Sequence, residues 1–212
     1  MNEDATVNDK YQVKAVIFDL GRVLVNVDMT LGFFRRIRDW YAGDDDVALM
    51  EKLFRDDLFR HFAMGKIEPR QFYEQLCVRY QLSIDYTTFV TEWCDVFAPM
   101  DNIESVFFDL REKYTLGLLS DVDVLHWQYL IDFLPFLSKI EKPTLSFQTG
   151  YLKPYSRAYA IAAGHVNQPL HYCLFIDDRL INVEGAKYAG MQAVQFLSVS
   201  QLENHLKGRN LL

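Results

Sequence analysis

Val13-Lys14-Ala15-Val16-Ile17-Phe18-Asp19-Leu20-Gly21 decides the fold. A short, mainly apolar, β-rich run stops at an acid, a leucine and a glycine, the pattern of a buried strand that ends in a turn. Two further stretches repeat it: Leu116 to Leu119 ends at Ser120-Asp121, and Tyr172 to Ile176 ends at Asp177-Asp178. Leu145 to Phe147 reads as a short strand and Ala193 to Phe196 as a last one. Between them, Ile103, Val106, Phe107, Leu110 and Tyr114 mark an amphipathic helix. Further helices are expected over roughly Val122 to Phe133, from Pro154 to about Ala163, and from the Asp177-Asp178 turn to Ala189. Strands alternating with helices predict an α/β fold: a Rossmann-like parallel sheet with helices on both faces. The carboxyl ends of parallel strands share one edge, where ligands bind. Asp19, Ser120, Asp177 and Asp178 would therefore converge on one crevice, although Asp19 and Asp177 lie more than 150 positions apart.

From about Met29 to Pro99 the strand pattern disappears. Pro69 suits a helix start, with Phe72, Leu76 and Tyr80 following at four-residue spacing. Asp85 can cap another helix with Phe89, Trp93 and Phe97 on one stripe. We read this block as a small all-helical cap inserted after the first strand. The expected division is a catalytic core of residues 13–28 and 100–212, a cap of 29–99 and a flexible leader of 1–12.

The chain has 212 residues, half of them apolar, and a net charge of -7. Such a balance offers no electrostatic footprint for nucleic acid. The nearest basic cluster, Arg35, Arg36 and Arg38, is followed by Asp39 and the run Asp44 to Asp46. Cys77, Cys94 and Cys173 form no Cys-x-x-Cys pair and read as free thiols of a reducing compartment. Met1 to Lys10 is polar and lacks a signal core, and no run approaches a membrane span. The expectation is a cytoplasmic protein with no membrane or nucleic-acid partner. It would be a monomer or a homodimer, since an aromatic-rich cap can pack internally or pair with a second subunit.

Four segments carry a resemblance. Val16-Ile17-Phe18-Asp19-Leu20-Gly21-Arg22-Val23-Leu24-Val25, Leu118-Leu119-Ser120-Asp121, Gly150-Tyr151-Leu152-Lys153-Pro154 and Phe175-Ile176-Asp177-Asp178-Arg179-Leu180-Ile181-Asn182 resemble, in order, the four motifs of the haloacid dehalogenase superfamily. The match runs from Val13 to about Phe196. The Asp-Leu-Gly variant with a helical insertion most resembles the bacterial subgroup of small sugar-phosphate phosphatases, which includes glucose-1-phosphate phosphatases. The resemblance implies a Mg²⁺-dependent phosphohydrolase acting on a small phosphorylated metabolite, a sugar phosphate, through an aspartyl phosphate.

Chemistry supports the roles so implied. Asp19 is the expected nucleophile, because a carboxylate attacking phosphorus splits one hard displacement into two easier ones. Asp19, Asp177 and Asp178, with the carbonyl of Gly21, are the expected Mg²⁺ ligands, since Mg²⁺ takes hard oxygens. Lys153 would contact Asp19 and a phosphoryl oxygen. Ser120 can donate its hydroxyl to that group and can equally cap the following helix. Asp121 and Arg22 are further candidates for the phosphate site, Arg22 having a surface position as its alternative. Asn182 would support the fourth motif and the lysine. His126 and Trp127 suit packing at the site entrance, and Asp123 suits a first-turn acid that complements the helix dipole.

Two residues depart from the family pattern. Gly21 stands where the phosphatases typically carry a second Asp as general acid and base. Asp121 stands where the subgroup commonly has Asn. A raised pKa would let Asp121 act as the missing acid. Two other readings stand beside the phosphatase: a metal-independent carbon–halogen hydrolase, and a non-catalytic phosphometabolite-binding or regulatory protein.

Overall fold

The computed structural model describes residues 12–212. The leader expected over residues 1–12 lies, apart from Gln12, outside them. The chain opens with β1 (Ala15–Phe18) and β2 (Val25–Val27). A helical block follows: α1 (Gly32–Ile37), α2 (Asp46–Arg55), α3 (Asp57–Ala63), α4 (Pro69–Tyr80) and α5 (Tyr86–Cys94). It returns through β3 (Phe97–Pro99), α6 (Ile103–Arg111), β4 (Thr115–Ser120), α7 (Val124–Phe133), β5 (Thr144–Leu145) and α8 (Ser146–Thr149). The rest is α9 (Ser156–His165), β6 (Cys173–Asp177), α10 (Leu180–Ala189), β7 (Gln192–Gln195) and α11 (Val199–Gly208).

The main sheet is parallel with strand order β5-β4-β1-β6-β7. β1 is fully buried, as the near-continuous apolar run of a parallel strand requires. Its side chains alternate between two layers. Val16 and Phe18 enter a core with Phe107 of α6, Leu130 of α7 and Leu206 of α11. Ala15 and Ile17 enter another with Ala158 and Tyr159 of α9 and Ala186 of α10. Phe18 lies level with Leu118 of β4 and Ile176 of β6, so the strand ends meet at Asp19, Ser120 and Asp177. The chain builds outward from β1 to β4 and β5, then crosses back to β6 and β7. That reversal is a topological switch point, and it opens a crevice at the strands' carboxyl ends.

The helical block has its own core. Trp93 is its hub, with ring centroids of Phe34 at 5.3 Å, Phe72 at 5.1 Å and Phe89 at 5.6 Å. Phe62 stacks on Phe72 at 4.0 Å. Asp45, Asp56 and Asp85 cap α2, α3 and α5 by accepting from Ala48, Leu58 and Thr88, each worth about 1 kcal/mol.

Several expectations needed correction. The stretch from Met29 to Pro99, expected to hold no strand, contains β3, which pairs antiparallel with β2, Val25 opposite Pro99 and Val27 opposite Phe97. This ribbon carries both chain crossings between sheet and helical block. Leu145 to Phe147 is strand only at its first residue, because α8 begins at Ser146. The helix expected from Pro154 begins at Ser156. α11, capped by Ser198, is a further helix beyond those expected.

Candidate active site

Asp19 begins the turn after β1. Its N–H donates to Ile176 O of β6 at 2.8 Å, and Leu24 N donates to Leu20 O at 2.8 Å to close the turn. Arg22 adopts a left-handed φ of 61° within it. The third motif places its lysine by packing. Gly185 of α10 lies against Pro154, and a Cβ there would come 2.6 Å from Pro154 Cβ and 2.9 Å from the Tyr159 hydroxyl. Tyr159 in turn donates to Asn182 O at 2.7 Å, tying α9 to α10. With α10 so close, the Lys153 ammonium reaches the strand ends. It donates to Asp19 Oδ1 at 2.6 Å and Asp177 Oδ2 at 2.7 Å, and it is only 7% exposed.

The carboxylates of Asp19, Asp177 and Asp178 each offer an oxygen within 4.8 Å of the others. Asp177 is fully buried, and its oxygens accept from Lys153, the Arg179 N–H and Asn182 Nδ2. Asp19 and Asp178 instead line a small pocket of about 60 Å³ with Gly21, Arg22, Ser120, Asp121, Lys153 and Asn182. Every residue assigned to the phosphate or metal site from the sequence lies on this pocket except the buried Asp177, whereas Asp123, His126 and Trp127 do not line it. Gln195 Nε2 donates to Asp178 O at 2.9 Å and fixes the backbone of the fourth motif.

The electrostatics of the pocket call for positive charge. Burial, with Asp177 and Asp178 nearby, lifts the Asp19 carboxyl well above the ordinary carboxylate range in spite of Lys153. Burial and Asp177 also push Asp178 upward, against Lys153, Arg22 and Arg179. Burial works against the Lys153 ammonium, but Asp177, Asp19 and Asp121 more than offset it and hold the lysine charged. Asp19, Asp121, Asp177 and Asp178 thus cluster around one buried lysine, with Arg22 and Arg179 the other cations on the pocket. Asn182, whose buried Oδ1 has no hydrogen-bond partner, lines the same pocket. Clustered hard oxygens short of counter-charge suit a hydrated divalent cation such as Mg²⁺.

Asp121 lies across the pocket from the fourth motif's loop, and burial pushes its carboxyl up to about 6. Both of its oxygens face the Lys153 N–H, at 3.0 and 3.2 Å. That contact makes Asp121 a brace for the lysine loop. Asp121→Asn is expected to lower kcat by less than about tenfold, equally for alkyl and aryl esters, because Asn keeps an acceptor. General-acid duty would show as a loss of about 10²–10⁴-fold confined to alkyl esters, whose leaving oxygen needs the proton.

Ser120 does not cap α7; that task falls to Asp123, which accepts from Leu125 and His126 N–H groups. Asp123 does more than complement a dipole. Its Oδ2 accepts from Trp93 Nε1 of α5 at 3.2 Å and lies 2.8 Å from His126 Nδ1. His126 Nε2 lies 2.8 Å from Trp93 O, and its ring stacks on Trp93 at 4.9 Å. Both imidazole nitrogens face oxygens that can only accept, so both carry protons and the ring is cationic. Burial opposes that charge, but Asp123 and the Trp93 carbonyl raise the His126 pKa above the ordinary 6.5. Burial likewise raises Asp123, and His126 outweighs it to bring the carboxyl below 3.8. A raised His stabilises the fold below its unfolded pKa and loses that effect as pH rises through its folded one. A lowered Asp does so above its own unfolded value. The pair therefore contributes fully between about pH 4 and 6.5. His126→Gln is expected to cost about 3 kcal/mol near pH 6 and clearly less near pH 9, read by denaturant melts at both. A cost independent of pH would contradict the charged pair.

Sequence reasoning had no signal for two other contacts. Ser146 Oγ donates to Ala63 O of α3 at 2.6 Å and accepts from Val122 N at 2.9 Å, joining the helical block to the second motif's loop. Arg179 lies over the Phe54 ring of α2 at 4.4 Å.

Among the described residues, no helix is long and apolar enough to cross a membrane. No family model matches the chain. A D-ribitol-5-phosphate phosphatase of Bacteroides thetaiotaomicron is 25% identical over 193 residues, covering 86% of this chain and 91% of the relative. A HAD family enzyme of the same organism, solved with magnesium and inorganic phosphate, superposes with a TM-score of 0.75 at 22% identity over 90% of this chain and 98% of its own. An L-2-haloacid dehalogenase of Xanthobacter autotrophicus with chloropropionic acid covalently bound gives 0.60 at 16% identity over 95% and 85%. The structural likenesses establish the fold.

Proposed function

We propose, from the haloacid dehalogenase-type fold that this chain shares with those hydrolases, that it is a Mg²⁺-dependent phosphatase: a phosphoric monoester hydrolase working through an aspartyl phosphate on Asp19. The reading is carried by one observation, the meeting of Asp19, Asp177 and Asp178 within 4.8 Å around the Lys153 ammonium. Asp19, Asp178 and the Gly21 carbonyl would hold the cation, while Asp177, the further ligand expected from the sequence, has its oxygens engaged by three donors and orients the lysine and the fourth motif's loop. Bound Mg²⁺ supplies charge neutralisation for the phosphoryl oxygens and for Asp19.

Lys153 holds Asp19 Oδ1, so the carboxylate presents its other oxygen to phosphorus. The attack forms the aspartyl phosphate and breaks the ester P–O bond, and the leaving oxygen takes a proton from water or substrate. Ser120 donates its hydroxyl to a phosphoryl oxygen. Water then attacks phosphorus, releasing phosphate and the Asp19 carboxylate. Gly21 has no proton to exchange, so turnover lacks the roughly 10²–10⁴-fold that a general acid and base supplies.

The substrate is a small phosphorylated metabolite. A sugar phosphate is the class that the sequence resemblance implies, and the Bacteroides relative is named for a pentitol phosphate. The experiment is phosphate release from a panel of phosphomonoesters with Mg²⁺ and after its removal by EDTA. Release is expected to fall at least about 100-fold on chelation and to return with Mg²⁺. Chloride release from 2-chloropropionate, indifferent to EDTA, would favour the dehalogenase reading. Phosphate binding with no release from any ester would favour a binding protein.

A further inference from the structure

The phosphate pocket adjoins a larger chamber of about 180 Å³ beneath the helical block; Gly21, Met50, Phe54, Ser120 and Asp121 line both. We infer that the organic part of the substrate occupies this chamber and is apolar, so that the protein acts on phosphomonoesters of apolar primary alcohols about one ring in size rather than of polyols. The inference rests on the phosphohydrolase reading and sharpens its substrate class.

The wall is aromatic: Phe34, Phe59, Phe62, Trp93 and Phe97 face the chamber, from α1, α3, α5 and β3. Most of the polar side chains on it are already committed. Asp123 spends its oxygens on the Leu125 and His126 N–H groups, Trp93 Nε1 and His126 Nδ1. His126 spends its remaining nitrogen on Trp93 O. Asp121 accepts from Lys153 N–H and has further lone pairs only where the two pockets meet, and Ser120, on the same boundary, is assigned to the phosphoryl group. Arg60 is left as one cationic donor on the wall. A polyol phosphate carries a hydroxyl on every remaining carbon, and each one buried without a partner costs roughly tenfold in affinity. An apolar skeleton loses nothing there. A cavity of roughly 150 Å³ lined by Leu, Ile and Phe takes up benzene, and this chamber is of similar size with a mainly apolar lining.

The test is a matched pair of esters hydrolysed by the full chain with Mg²⁺. Ribitol 5-phosphate and n-pentyl phosphate share a five-carbon chain and a primary leaving oxygen and differ in the hydroxyls. Benzyl phosphate tests the ring, and acetyl phosphate, which reaches only the phosphate pocket, reports the catalytic machinery. The expected kcat/KM for pentyl and benzyl phosphates exceeds that for ribitol 5-phosphate by at least about tenfold, the cost of one unmatched hydroxyl. A smaller preference, or a preference for the polyol, overturns the inference and leaves the phosphohydrolase reading intact. So does hydrolysis of acetyl phosphate alone. Mg²⁺-dependent hydrolysis of none of the four overturns both.

Discussion

Asp19→Asn abolishes turnover while the fold survives: kcat is expected to fall by about 10⁴-fold or more, the scale seen when a covalent nucleophile is removed. The amide is nearly isosteric, and Lys153 retains an acceptor at that position as well as its bond to Asp177 at 2.7 Å. The loss is therefore chemical. Removing Asp19 also removes one member of a crowded carboxylate cluster whose burial and mutual repulsion lift its pKa, so the variant's Tm should be no lower than that of the natural chain without Mg²⁺. Phosphate-release kinetics and a thermal melt on one preparation check both halves. Residual activity within tenfold of the natural chain would remove Asp19 from the chemistry.

Lys153→Met should damage stability and activity together. The ammonium is 7% exposed and bridges two buried carboxylates. Deleting one partner of a buried ion pair leaves uncompensated charge and costs roughly 3–5 kcal/mol. For a chain of this size each kcal/mol moves Tm by about 2–4 °C, so a fall of about 6–20 °C is expected near pH 8. The orphaned carboxylates then bind protons more tightly, so the deficit shrinks as pH falls toward 5. Added Mg²⁺ should restore part of the Tm, because a cation that binds only the folded state stabilises it. Turnover is expected to fall about 10²–10³-fold, the scale of one lost electrostatic donor. A Tm within 1 °C of the natural chain at every pH would show that the lysine is not the counter-charge described.

What the sequence disclosed followed from contrast. Val16-Ile17-Phe18 meeting Asp19, and Leu174-Phe175-Ile176 meeting Asp177, are legible because a buried parallel strand must be apolar and must stop where the chain reaches solvent or ligand. Their spatial meeting follows from sheet topology, so the motif residues of the small pocket were legible, whereas Val27, Met50 and Phe54, which also line it, were not. The β2–β3 ribbon was not. Three residues show no period, and Pro99 argues against a strand except at an edge, which is where it sits. Asp123 was legible only as a helix-start acid, because its decisive partner, Trp93, lies thirty positions away. The chamber was hidden for the same reason. Phe97 reads as one stripe of a helix with Phe89 and Trp93, and only packing shows that it borders empty space together with Phe34 and Phe62.

The most direct test of the central claim is reductive trapping of the covalent intermediate. Borohydride converts an aspartyl phosphate to homoserine, which peptide mass spectrometry locates. With Mg²⁺ and a hydrolysed ester, homoserine is expected at position 19, and it should be absent when EDTA, the substrate's omission or Asp19→Asn removes the reaction. Steady phosphate release with Asp19 unmodified, or homoserine at another aspartate, would contradict the account.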